Sequence, residues 1–116
     1  MLPGYSEARH AVRNSVLKVL EGLALANKEG FEALKAKDSQ QLEVARKGLS
    51  DISKETEKID NDIVLIFAKY TPEARDLREL VSYLKITSAL NRIRANINNY
   101  LKNMQSMLNE DNVNII

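Results

Sequence analysis

From Leu42 to Tyr70 the chain carries an unbroken series at intervals of three and four residues: Leu42, Ala45, Leu49, Ile52, Thr56, Ile59, Ile63, Ile66 and Tyr70. At 3.6 residues per turn these nine side chains fall on one stripe of an α-helix, roughly 45 Å long at 1.5 Å per residue. A strand would throw the same residues alternately to both faces. A helix cannot bury such a stripe against itself, so the chain must supply other helices of similar length. Lys54, Glu55, Glu57 and Lys58 lie off the stripe and read as its solvated face.

The flanks mark where this helix begins and ends. Asp38 followed by Gln41 has the spacing of a capping box and predicts the start at residue 39. Tyr70-Thr71-Pro72 predicts the end, because a residue before proline avoids the α region. Thr71 then reads as the N-cap of a third helix with Pro72 in its first turn, where the missing N–H costs nothing. Glu73 and Asp76 there oppose the positive end of the helix dipole. That helix is expected over 72–108, with a seam of Leu77, Leu80, Leu84, Ile86, Leu90, Ile93, Ile97, Tyr100, Met104 and Met107. The Asn-rich tail, 109–116, is expected to fray.

A first helix is expected over 5–37, with Ser6 able to cap it. It carries two adjacent seams: Val12, Val16, Val19, Leu23, Ala26, Gly30 and Ala33, and beside them Leu17, Leu20, Ala24, Phe31 and Leu34. Two seams imply two neighbours. The small residues Gly22, Ala24, Ala26 and Gly30 allow close approach, and the two glycines invite a local kink. Three long helices joined by two to four residues must alternate in direction. The reading is all-α: one domain, an antiparallel up-down-up three-helix bundle.

Composition narrows the function classes. The 116 residues are 44% hydrophobic and 28% charged, as in a soluble globular protein. A net charge of +1 gives no global attraction to nucleic acid or anionic lipid. There is no cysteine, hence no disulfide or thiolate chemistry. No window reaches 18 uninterrupted apolar residues, and MLPGYSEARH lacks the apolar core of a signal peptide, so a cytoplasmic location is expected.

Ala74-Arg75-Asp76-Leu77-Arg78, then Leu84-Lys85-Ile86, Leu90, Arg92-Ile93 and Asn99 resemble the third helix of a PhoU-type repeat. Ile59-Asp60 and the approach from Ile66 to Pro72 extend the resemblance, which covers roughly Tyr5 to Tyr100. The family regulates bacterial phosphate uptake. Members usually carry two three-helix repeats, so the resemblance makes this chain about half of one. It is either a single-repeat member, or a piece of a longer protein, or a half completed by a second copy. The last predicts a homodimer that buries an apolar face.

The family's third helix continues after Leu-Lys-Ile and two variable residues as Asp-Leu-Glu-Arg-Ile-Gly-Asp. Its carboxylates, one turn apart, suit cations such as iron, zinc or magnesium. Here Ala89, Asn91 and Ala95 occupy the acidic positions, and Arg94 the glycine. Alanines and an amide cannot offset cation desolvation, so neither the metal site nor any other cofactor is carried over. Asp60 or Asp62 on the neighbouring helix could contribute only to a weak site. The family signature that remains is Asp76, Leu77, Arg78 and Arg92. Asp76 would serve the helix dipole and Arg78 would pair with a neighbouring helix.

A polar, faintly basic face replaces the metal motif: Asn91, Arg94, Asn98 and Lys102, flanked by Lys85 and Arg92. It reads as a solvated helix face or as a surface for an anion or acidic partner, since guanidinium forks suit phosphate and carboxylate. His10, the single histidine, has no partner pattern for metal or nucleophile chemistry and reads as a surface residue. Tyr5, Tyr70, Tyr83 and Tyr100 read as packing at helix ends and rims rather than as stacking platforms. No nucleophile–base pair or Gly-rich phosphate loop is present, so no enzyme is expected. The resemblance implies a regulator that binds a phosphate transporter or its sensor kinase. The alternative is a structural helical module, such as the cytoplasmic half-bundle of a sodium–phosphate cotransporter.

Overall fold

The computed structural model describes residues 3–114. Three helices follow one another, α1 (Tyr5–Lys35), α2 (Ser39–Lys69) and α3 (Ala74–Asn114), with no strand among the described residues. They form the up-down-up bundle, a rod of 68 × 17 × 17 Å. α2 packs closely on both neighbours, whereas α1 and α3 meet each other least.

The α2 stripe is buried over its whole length, from Leu42 to Tyr70. Opposite it stand Val12, Val16, Val19, Leu23, Ala26, Gly30 and Ala33 of α1, all buried. Leu80, Leu90 and Leu101 of α3 complete the core. Fully buried leucines and isoleucines such as Leu42, Leu49, Ile59, Ile63 and Leu80 each contribute about 1.5–3 kcal/mol. Thr56 and Thr87 enter this apolar column because each hydroxyl donates to a carbonyl on its own helix, Ser53 at 2.8 Å and Tyr83 at 2.7 Å.

The α1–α2 connection is a Schellman turn. Asp38 N–H reaches the Ala33 carbonyl at 2.9 Å and Lys37 N–H the Leu34 carbonyl at 3.1 Å. Lys37 occupies the left-handed position with φ 54°, where glycine is the usual residue. The Asp38 carboxylate then caps α2 by accepting from Gln41 N–H at 3.1 Å, as its spacing predicts.

Several boundaries differ from expectation. α1 is preceded by Gly4 at φ 90°, and Ser6 lies inside the helix rather than capping it. α1 also runs unbroken to Lys35, two residues short of the expected end. α3 begins at Ala74, not Pro72: its first bond runs from Leu77 N–H to the Glu73 carbonyl. Tyr70 is the reason, since it ends α2 in an extended conformation with its ring buried, and the chain needs 71–73 to return to the bundle. α3 continues past Leu108 to Asn114 where a frayed tail is expected, and Asn109 accepts a bond from the Ser39 hydroxyl at 3.2 Å. Residues 115 and 116 of that tail lie outside the described residues.

The second seam of α1 is the larger departure. Leu34 is half-buried, but Leu17, Leu20, Ala24 and Phe31 are exposed. Half of the expected α3 seam behaves the same way: Leu77, Ile86, Ile93, Tyr100 and Met107 face outward. Apolar spacing is thus present on faces that this chain leaves uncovered.

Candidate functional site

Of the expected polar face, Asn91, Arg94 and Asn98 are half-buried and turn toward the bundle, whereas Lys102, Lys85 and Arg92 are exposed. Arg94 donates Nε–H to the Asn91 side-chain oxygen at 2.8 Å. Arg46, on α2, donates Nε–H to the Asn98 oxygen at 3.1 Å and Nη1–H to the Gln105 oxygen at 2.9 Å. Gln105 passes its own N–H to the Ser39 carbonyl at 3.1 Å. The expectation of one open anion surface through Asn91, Arg94, Asn98 and Lys102 therefore needs correction. Three of the four serve contacts made within the bundle, and Lys102 alone is exposed. Arg46 was not singled out from sequence: it sits between Ala45 of the core stripe and Lys47, and no local pattern distinguishes it from its exposed neighbour.

The positions expected to be acidic in a metal-binding relative hold Ala89, Asn91 and Ala95, all half-buried on α3. Asn91 already satisfies Arg94. Asp60 and Asp62 on α2 do not converge: Asp60 is exposed, and Asp62 pairs with Lys58 one turn away at 3.6 Å. Among the described residues no three His, Cys, Asp or Glu side chains come close enough to share an ion.

The signature residues separate in the same way. Asp76 is buried at the start of α3, and Arg9 of α1 reaches it at 3.5 Å and Glu79 at 3.2 Å. Among the described residues Arg78 pairs with no neighbouring helix; its Nε–H meets the Ala74 carbonyl of its own first turn at 3.4 Å. Leu77 and Arg92 face solvent. Glu79 also accepts from the Tyr83 hydroxyl at 2.8 Å, which joins α1 and α3 through Arg9, Asp76, Glu79 and Tyr83. Burial pushes the Tyr83 hydroxyl above its ordinary value, and the bond to Glu79 adds to the shift. His10 is exposed beside Arg9, Arg13 and Glu79 around a shallow depression.

Tyr5 and Tyr70 meet edge to face, ring centroids 5.6 Å apart at 74°. Among the described residues the buried Tyr5 hydroxyl has no hydrogen-bond partner. Its proton is held more tightly than usual, first by burial and then by the nearby Asp76 carboxylate.

Residues 16–104 match the family model of the PhoU domain. The chain belongs to the PhoU family. No curated protein and no solved structure matches it. The PhoU match takes in all of α2, the later turns of α1 and most of α3. Asp76, Glu79 and Tyr83 lie inside it, while Tyr5 and Arg9, which anchor that end of the bundle, lie before it. Among the described residues no helix is long and apolar enough to cross a membrane.

Proposed function

We propose that this PhoU-family chain is a regulatory protein of phosphate uptake or phosphate-starvation signalling, working in the cytoplasm by binding a transporter or sensor kinase and not by catalysis. The observation that carries this reading is the apolar surface left on α1 and α3, where Phe31 and Tyr100 are 58% and 56% exposed. Large side chains kept outward on two rigid helices are what a docking protein presents. The chain works without the family's metal cluster, since Ala89, Asn91 and Ala95 offer no anionic ligand.

A phosphate-responsive reporter tests the regulatory part. Deleting the gene should leave the reporter active in phosphate-rich medium, and returning the chain should silence it. A reporter indifferent to deletion overturns the reading. Metal analysis tests the second part, and near-stoichiometric iron or zinc in the purified protein overturns it.

A further inference from the structure

The two halves of α3 are attached to the bundle differently. From Ala74 to Leu90 the helix buries Leu80, Thr87 and Leu90, and Arg9 of α1 holds its Asp76 and Glu79. Beyond Leu90 the inward positions continue at three-four spacing as Arg94, Ile97, Leu101, Met104 and Leu108. Among the described residues Leu101 is the one buried side chain of this second half, and the other four are half-buried. At Arg94 a guanidinium stands where the seam calls for an apolar side chain. Its Nε–H bonds to Asn91 of its own helix.

The contacts that join this half to α2 are polar and converge on one residue. Arg46 reaches Asn98 at 3.1 Å and Gln105 at 2.9 Å. Ser39 accepts from Gln105 and donates to Asn109. Hydrogen bonds between half-exposed groups are exchanged for bonds to water when helices part, so they hold a helix more weakly than buried apolar area does. Opposite this half, α1 presents Ala26, Gly30 and Ala33 and α2 presents Ala45, all buried but small. Their exposure costs little. α2 runs antiparallel to α3 with Arg46 midway between Asn98 and Gln105, which sets Leu42 level with Gln105 and Leu49 with Asn98. These two leucines are the large side chains that the second half of α3 covers on α2.

We propose that α3 from Asn91 onward is a latch. It lifts from the bundle as one unit while α1, α2 and residues 74–90 stay folded, and Arg46 is the catch that holds it shut. The open form uncovers Leu42, Ala45 and Leu49, the end of the apolar stripe that the closed bundle hides. The protein then has two surfaces in equilibrium, and a binding event shifts the balance by its differential affinity for the open one. This device stands apart from the regulatory reading above and does not depend on it.

Amide exchange on the full chain, followed by mass spectrometry over a series of low urea concentrations, tests it. Residues 91–108 should share one protection factor, about tenfold or more below those of 20–32 in α1 and 42–56 in α2, which lie at the same end of the rod. That factor should fall with urea as a unit. Arg46→Met, which keeps the aliphatic stem, should lower it about fivefold further and leave 74–90 unchanged. Arg94→Leu should raise it, an outcome that damaged folding could not produce. Equal protection of the three helices at that end overturns the proposal, because the bundle then opens all at once or frays evenly. So does an Arg46→Met effect spread equally over the whole chain, or an Arg94→Leu variant whose second half exchanges no more slowly than the parent.

Discussion

A Cβ placed on Gly30 would stand 2.8 Å from one Leu101 methyl, 2.9 Å from the other and 3.4 Å from the carbon that joins them. Leu101 is buried, so turning one methyl away does not clear the space. Gly30 is one point where α1 and α3 come together. Gly30→Ala should gain about 1 kcal/mol of helix propensity but lose more to overpacking, for a net loss of about 1 kcal/mol in urea unfolding. Gly48→Ala is the control: nothing lies within 4 Å of its added methyl, and it should stabilise by about 0.5–1 kcal/mol.

Arg9 is the cation that faces buried Asp76. Arg9→Met should cost about 2 kcal/mol, because the carboxylate stays in place without its partner. Asp76→Asn should cost less, since Arg9 keeps Glu79 at 3.2 Å. Equal losses in chemical denaturation would mean that Arg9 contributes packing rather than charge.

Lys37→Gly should raise stability by about 1 kcal/mol. The left-handed backbone that lysine adopts at φ 54° costs a residue with a Cβ about that much and glycine nothing. The Schellman bonds use only backbone atoms and should survive the change. A rise of a few degrees in the melting temperature is the measurement.

Tyr5 and Tyr83 both hold their protons above the ordinary value of 10.0, mainly through burial. The native state therefore stays protonated at a pH where the unfolded chain has ionised. This contribution is complete below pH 10 and is lost as pH rises from there through the raised native values. The melting temperature should fall less steeply above pH 10 in the Tyr5→Phe, Tyr83→Phe double variant than in the parent. At neutral pH, Tyr5→Phe alone should be neutral or stabilising, because among the described residues its hydroxyl has no partner to lose.

The α2 stripe was fully legible in the sequence because α2 lies between its neighbours, so periodicity and burial coincide from Leu42 to Tyr70. On the outer helices they part. Spacing shows that Leu17, Phe31, Ile86 and Ile93 line apolar faces, but it cannot say whether this chain covers those faces. Asp38 was readable as a cap because its partner is three residues away. Asn98 was misread as open because its partner, Arg46, lies 52 residues back on another helix. The start of α3 was misplaced for a related reason: Thr71-Pro72 is a sound local signal, yet the buried Tyr70 ring dictates where the chain can turn.

A rod 17 Å across has a core one side chain deep, so no buried residue is screened from solvent by a second layer. Each turn depends on the turns above and below it and on little else. Cooperativity must then travel lengthwise, and the free ends are where opening begins. Amide exchange should slow progressively from the ends toward the middle of α2, and substitutions at Tyr5 and Gly30, about 38 Å apart along α1 at 1.5 Å per residue, should combine additively.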